Sequence, residues 1–141
     1  YLENLRMTKQ EVKDERKDIE GNPQIKSRIR SVQLEMTRRR MMAAVPEADV
    51  VVTNPTHFSV AIKYDMENHT APVVVAKGQN DIALRIREIA KENNVPLVED
   101  KPLARTLYKT VEVGQLIPAS LYKAVAEILA YVFKLKGKTS V

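Results

Sequence analysis

Cysteine is absent from the 141 residues, which excludes disulfide bonds, thiolate metal sites and a cysteine nucleophile. No apolar run reaches the length of a membrane span, and the longest candidate, AVAEILAYVF, contains Glu127 and is typical of a buried helix. Only 5% of the residues are aromatic, which disfavours recognition of nucleic acid by base stacking. There is no signal-peptide pattern and the first residue is not Met, so we expect the sequence to be part of a longer one.

The chain is long enough for one globular domain with an appendage, and its hydrophobic fraction of 44% is sufficient for a core. The net charge of +5 is concentrated in residues 24–40, where six basic residues face Glu35 alone (6 − 1 = +5). These basic residues are Lys26, Arg28, Arg30, Arg38, Arg39 and Arg40. Such a stripe is typical of a surface for nucleic acid or anionic lipid, or simply of a solvated helix face.

The first segment predicts a projecting linker helix over residues 1–20. A capping box formed by Thr8 and Glu11 opens it, but apolar residues occur only once in seven positions. Gly21, Asn22 and Pro23 then end this helix and start the next, so we expect a hinge there. The predicted organisation is a linker and hinge at 1–22 and a domain at 23–141.

The rest of the chain predicts an α/β fold, with a small central sheet of about four strands surrounded by helices. A helix runs from Pro23 to about Ala44, with one apolar docking stripe formed by Ile25, Ile29, Val32 and Met36. The predicted strands are 48–53, 58–64, 73–77 and 95–99, and the predicted later helices are 80–94, 101–111 and one opening at Pro118. Strand 73–77 is apolar on both faces, which indicates an interior strand. A helix connects it to strand 95–99, so we expect those two strands to form a parallel, right-handed pair. The last helix is apolar over most of its circumference and should be the most buried.

The break between the first two strands, Asn54-Pro55-Thr56-His57, is the one motif with distinctive chemistry. Asn-Pro is also a common turn initiator, and a histidine after a turn is often structural. The chemical interpretation starts from Pro55. Because proline has no N–H to attack the preceding Asn side chain, the usual route to deamidation is not available. The Asn54 amide nitrogen can instead attack its own main-chain carbonyl and break the Asn54–Pro55 bond.

Two neighbours can assist this reaction. His57 is suited to proton transfer, and Thr56 can hold the turn or donate to the developing oxyanion. A chain that cuts itself performs the reaction once, so we expect single-turnover autoproteolysis rather than a turnover enzyme.

Other patterns predict no metal and no cofactor. His57 and His69 are twelve residues apart with no third ligand at a suitable spacing. The segment AKGQN precedes a helix but does not have the glycines and the Lys-Ser/Thr pair of a phosphate loop.

The tetrapeptide NPTH lies between the strands DVVVT and FSVAIKY and is followed by APVVVAKG. With EVKDERKDIEGNPQIKSRIR, REIAKENNVPLVEDKPLARTLY and VGQLIPASLYKAVAEILAYV around it, the chain resembles the cytoplasmic domain of the FlhB/YscU family. These are autocleaving substrate-specificity switch proteins of type III secretion export gates. The amino-acid sequences of the flanking segments are more similar to the flagellar branch of the family.

The resemblance implies a membrane domain before Tyr1 and a position on the cytoplasmic face of the bacterial inner membrane. It implies cleavage between Asn54 and Pro55 into 23–54 and 55–141 of the domain, which stay associated. It also implies a switch from rod and hook substrates to filament substrates. The implied partners are other export-gate membrane components, the exported rod and hook proteins, the hook-length ruler protein and the chain's own cleaved fragment.

The resemblance further implies a substrate-binding surface at Ala71, Pro72, Ala126 and Leu129; for Ala126 and Leu129 an ordinary core role remains open. An alternative function also remains open. A non-cleaving basic module would bind nucleic acid or anionic lipid through helix 24–40, and Asn54-Pro55 would then be only a turn.

Overall fold

A computed structural model describes residues 21–55, 57–65, 67 and 70–135 of the chain. The helices are α1 (Pro23–Ala44), α2 (Asp81–Glu92), α3 (Lys101–Thr110) and α4 (Tyr122–Leu135), and the strands are β1 (Val50–Asn54), β2 (Phe58–Lys63), β3 (Val73–Gln79) and β4 (Leu97–Glu99). Short 3₁₀ turns cover Val45–Glu47 and Ala119–Leu121. The predicted linker helix at residues 1–20 lies outside the described residues. The chain divides into two compact units between Arg39 and Arg40. The domain boundary expected between residues 22 and 23 stays a prediction.

The four strands form one sheet in the order β3-β2-β1-β4. β1 pairs antiparallel with β2 and parallel with β4, and β2 pairs antiparallel with β3. The prediction of an α/β fold with a four-stranded central sheet is confirmed. β1 therefore lies in the middle of the sheet, between two strands that both come later in the chain.

The predicted pairing of the third and fourth strands is wrong, because β3 and β4 lie at opposite edges of the sheet. β3 follows β2 through a loop and pairs with it, so the helical connection through α2 has to cross both β2 and β1 to reach β4. β3 is thus an edge strand rather than an interior one. Its apolar pattern arises because helices cover both faces of the sheet out to this edge, where Val74 and Ala76 are fully buried.

A hydrophobic core lies on each face of the sheet, so the domain has three layers. On one face, alternate strand residues pack against α3 and α4: Val50, Val52, Val60, Ile62 and Val74 against Leu103, Leu107, Val125, Leu129 and Val132. On the other face, the intervening residues pack against α2, the end of α1 and the 3₁₀ turn that follows it: Val51, Ala61 and Ala76 against Ile86, Ile89, Ala90, Met41 and Val45. β1 is therefore buried on both faces and hydrogen-bonded on both edges.

The prediction that the last helix is the most buried one is wrong. The apolar stripe of α1 is exposed, with Ile29 at 49% of its full accessibility, so its role in docking stays a prediction; Met41 is the one residue of that helix that is buried. α4 buries only Val125, Leu129 and Val132, whereas α2 buries four residues. α4 is apolar around its circumference because its outer side lines a groove rather than the core, as described below.

Asn22 marks the start of α1. Its side-chain oxygen accepts hydrogen bonds from the N–H groups of Gln24, at 2.9 Å, and Ile25, at 3.4 Å, which satisfies two donors that a helix leaves free at its N-terminus. The predicted helix start at Pro23 is therefore confirmed, and hinge motion at Gly21, Asn22 and Pro23 stays a prediction. Within the described ranges, no helix combines the length and the hydropathy needed to span a bilayer.

Candidate functional site

Asn54 is the last residue of β1, and it lies opposite Phe58, the first residue of β2. The backbone N–H of His57 donates to the Asn54 carbonyl oxygen at 2.9 Å and closes the connection between the two strands. Asn54 and Pro55 are half-buried and His57 is exposed. Thr56, the fourth predicted residue of the motif, lies outside the described residues.

Backbone hydrogen bonds hold this connection from both sides. The Thr53 carbonyl accepts from the N–H of Asp100 at 3.0 Å, and the His57 carbonyl accepts from the N–H of Asn80 at 2.9 Å. Thr53 is only 4% exposed. The strand ends on either side of the Asn54–Pro55 bond are therefore fixed to the starts of α3 and α2.

Aromatic and cationic side chains support the start of β2. The ring of Phe58 lies 4.9 Å from that of Tyr108, centroid to centroid. Lys77 of β3 donates to the Tyr108 carbonyl at 2.8 Å and lies 5.0 Å from the centroid of the Tyr108 ring. The exposed His57 ring lies 6.4 Å, centroid to centroid, from that of Phe58.

The arrangement has the elements that an intramolecular attack on a carbonyl needs. The Asn54 amide and the carbonyl it would attack belong to the same residue, so they are held together covalently. The His57 N–H contacts the carbonyl oxygen on which negative charge would develop, which is the place where an oxyanion-hole donor acts. The imidazole of His57 lies three residues from the reacting carbonyl and is open to solvent.

Sequence reasoning missed a cleft of about 360 Å³ at the same site. Asn54 lines it together with Lys101, Pro102, Arg105 and Thr106 of α3. The signal that could have indicated it is the pair of basic residues one helical turn apart, with no acidic residue at the positions that would pair with them on that face.

A second cavity, an apolar groove of about 410 Å³, lies between the start of β3 and α4. All four predicted substrate-binding residues line it: Ala71, Pro72, Ala126 and Leu129. Sequence reasoning missed the remaining lining residues, which are Tyr64, Thr70, Tyr122, Ala130 and Phe133. The sequence leaves an ordinary core role open for two of the predicted residues. Ala126 is exposed and is therefore not a core residue, whereas Leu129 is 4% exposed and belongs to the core as well as to the groove. Substrate binding here stays a prediction.

The part of the chain that the structure describes contains no group of three or more His, Asp or Glu side chains arranged to hold a metal ion. His69, the other histidine of the chain, lies outside the described residues.

Comparison with known structures identifies the class of domain. The cytoplasmic domain of FlhB from Shewanella putrefaciens matches with a TM-score of 0.67 and 50% sequence identity, over 72% of this chain and 81% of that one. Residues 1–132 also match the model of the family described as FlhB HrpN YscU SpaS. The chain belongs to this family.

The curated flagellar biosynthetic protein FlhB of Bacillus subtilis is 55% identical over 138 residues, which is 98% of this chain. This chain spans 38% of the length of that relative. It therefore corresponds to a minor part of a longer protein in that organism.

The C-terminal domain of EscU has the same fold at lower identity. A variant with a substituted asparagine matches with a TM-score of 0.64 and 30% identity, over 65% of this chain and 92% of that one. Other solved EscU variants carry substitutions at the proline that follows this asparagine and at a histidine two residues beyond the proline. The spacing of these three positions is that of Asn54, Pro55 and His57.

Proposed function

We propose that this chain is the self-cleaving cytoplasmic part of a type III export-gate protein, and that it cuts itself once between Asn54 and Pro55. The observation that carries the proposal is the hydrogen bond from the His57 N–H to the Asn54 carbonyl, at a strand connection fixed on both sides. The spacing shared with the substituted EscU positions supports the same assignment.

In the proposed reaction, the Asn54 side-chain nitrogen bonds to its own carbonyl carbon, and the His57 N–H stabilises the oxyanion. The bond to Pro55 then breaks. The proton lost by the Asn54 amide is balanced by one that the departing Pro55 nitrogen receives, and His57 is suited to transfer it. The products are a succinimide at residue 54 and a new N-terminal secondary amine at Pro55.

The magnitudes are compatible with a reaction that needs no external nucleophile. A half-time of about ten minutes corresponds to a barrier of about 21–22 kcal/mol. Holding the reacting atoms in attack geometry contributes about 7–11 kcal/mol to such a reaction. Proton transfer and the oxyanion donor then need to supply only modest further assistance.

The two pieces have 54 and 141 − 54 = 87 residues. β1 belongs to the first piece, while its neighbours β2 and β4 belong to the second. Both faces and both edges of β1 are covered by the second piece or by residues 41–48 of the first. We therefore infer that the pieces stay together as one domain after the cut.

In the longer protein, we propose that a membrane domain precedes Tyr1 and that this domain lies at the cytoplasmic face of the bacterial inner membrane. Cleavage would change export from rod and hook proteins to filament proteins. The partners would be the other export-gate membrane components, these exported proteins and the hook-length ruler. The flagellar relative of B. subtilis supports this assignment.

The apolar groove is the proposed surface for exported proteins. Ala71, Pro72 and Ala126 present small apolar surfaces there, and Tyr64 and Tyr122 add aromatic walls with polar ends. Apolar concave sites with a few polar groups are typical of binding surfaces.

A denaturing gel with intact-mass spectrometry tests the central proposal. The purified chain should give two bands of 54 and 87 residues, and Asn54→Ala should give one. The alternative, a basic module acting through helix 24–40, requires one band for both chains and an affinity for DNA or anionic vesicles that falls steeply with salt.

A further inference from the structure

The cleft at Asn54 is lined by two exposed cations. Lys101 and Arg105 lie one turn apart on the same face of α3, and both are exposed. Among the described residues, neither side chain forms an ion pair or a hydrogen bond. Like charges at this spacing repel each other, so the arrangement has no evident benefit in the uncut chain.

The backbone fixes the end of β1 against these cations. Asp100, which immediately precedes α3, donates its N–H to the carbonyl of Thr53 at 3.0 Å. Asn54 is the next residue and lines the cleft with Lys101 and Arg105. Any charge created on Asn54 therefore arises within this cleft.

The nearest acidic group in the sequence, Asp100, forms no ion pair with these cations among the described residues. The carboxylate of Asp100 accepts from the N–H of Leu103 at 3.1 Å and caps α3. In the intact chain Asn54 itself contributes only neutral amides.

We propose that Lys101 and Arg105 bind the carboxylate that self-cleavage produces at residue 54, and that they thereby hold the cut end of β1 in the sheet. This inference rests on the proposed cleavage. It assigns to the cleft an anion that the chain makes itself, after the cut.

Hydrolysis of the succinimide supplies one carboxylate, whichever of its two carbonyl groups the water attacks. The succinimide left by cyclisation is neutral, and one water molecule opens it. Attack at the main-chain carbonyl restores the asparagine amide and leaves an α-carboxylate, whereas attack at the side-chain carbonyl leaves a side-chain carboxylate and an α-amide. A proton is released at neutral pH in both cases. Arginine is well suited to such a group, because its planar guanidinium can donate two parallel hydrogen bonds to it.

The test measures how fast the first piece leaves the cut domain. The unsubstituted chain and the double variant Lys101→Gln, Arg105→Gln are incubated until a denaturing gel shows complete cleavage. Each is then held on a resin through a C-terminal tag, and release of the 1–54 piece into dilute urea is followed by mass spectrometry. We expect faster release from the variant, by about two- to fivefold for each exposed ion pair lost. In molar salt the difference should largely disappear.

Two controls separate carboxylate binding from general stability. The matched variant Lys109→Gln, Lys123→Gln removes two exposed cations that do not line the cleft, and its release rate should be unchanged. In an uncleavable Asn54→Ala chain, the Lys101→Gln, Arg105→Gln pair should leave the urea midpoint unchanged or raise it slightly, since a like-charge repulsion is removed.

The outcomes distinguish the inference from the proposed function. Two bands on the gel with equal release rates for all chains would overturn the inference alone. A urea midpoint lowered by Lys101→Gln, Arg105→Gln in the uncleavable chain would also overturn it, because the two cations would then stabilise the domain before any cut. A single band from the unsubstituted chain would overturn the proposed cleavage, and the inference with it.

Discussion

The backbone N–H of His57 lies 2.9 Å, nitrogen to oxygen, from the carbonyl oxygen of Asn54, so a donor already contacts the atom on which charge would develop during cyclisation. Every residue except proline supplies this N–H at position 57, whereas only histidine supplies an imidazole there. The two contributions from one position can therefore be separated by the choice of substitution.

We expect His57→Ala to slow cleavage by about 10²–10⁴-fold, which is the usual contribution of a positioned acid–base group. His57→Pro should be slower by roughly a further 10²–10³-fold, because the oxyanion donor is also lost. The measurement is the rate of appearance of the two bands on a denaturing gel. Imidazole added to His57→Ala should partly restore the rate. Cleavage of His57→Ala at the unsubstituted rate would show that the imidazole takes no part.

Pro55→Gly should change the product as well as the rate. Glycine supplies the N–H that proline lacks, so the backbone nitrogen can attack the Asn54 side chain and deamidation competes with cleavage. We expect intact chains in which Asn54 has become aspartate or isoaspartate, detected by peptide mass spectrometry. Pro96→Gly, in the turn before β4, is the control and should cleave at Asn54 without deamidation, as the unsubstituted chain does. Clean cleavage of Pro55→Gly without deamidation would contradict this account.

Local chemistry made much of this site predictable from sequence. The Asn-Pro dipeptide defines which carbonyl would be attacked in the proposed reaction, and Pro23 and the apolar runs fix where helices and strands begin to within a few residues. The four strands and the α/β class followed from the same patterns. These features depend on neighbours along the chain, and the sequence displays such neighbours directly.

The features that were missed depend on the arrangement of distant segments. Whether β4 pairs with β3 or β1 is decided by how the helices cover both faces of the sheet, and an apolar strand pattern is the same in either case. The juxtaposition of Arg105 with Asn54 likewise needs the hydrogen bond between Asp100 and Thr53, across 47 positions of sequence (100 − 53 = 47). For α4, an apolar circumference indicated burial but could not distinguish a core face from a groove wall.

The association of the two cleaved pieces should depend on β1. Val52 is fully buried and pairs with Val60 of β2 and Val98 of β4, both in the second piece. Val52→Ala removes two methyl groups, at a cost of about 2 kcal/mol, or roughly thirtyfold in the dissociation constant of the pieces. Gel filtration of the cut protein at decreasing concentrations measures it. Val113→Ala, at an exposed position, should have little effect, and co-elution of the pieces unaffected by Val52→Ala would count against this role of β1.

Gly78 allows β3 to approach the first turn of α2. A Cβ at this position would clash with Cγ2 of Ile82. We expect Gly78→Ala to destabilise the domain by about 1–3 kcal/mol, measured by urea unfolding in the uncleavable Asn54→Ala chain. Ile82→Ala should partly rescue it, because Cγ2 of Ile82, the nearest clashing atom, is removed. Gly21→Ala is the matched control, since no atom lies within 4 Å of a Cβ there; an equal effect of the two glycine substitutions would contradict the steric explanation.

The apolar groove and the cleavage site should be separable by mutation. Ala126 is exposed and lines the groove, so Ala126→Glu should place a charge where an apolar segment is proposed to bind, without removing core packing. We expect binding of a purified hook subunit, measured by calorimetry, to weaken at least about tenfold, which corresponds to about 1.4 kcal/mol. Cleavage on a denaturing gel should continue at the unsubstituted rate, because none of the residues of the Asn54 connection lines the groove.

Ala119→Glu, exposed and outside the groove, controls for added charge and should bind as the unsubstituted chain does. Unchanged binding by Ala126→Glu would remove the groove as the docking surface for exported proteins.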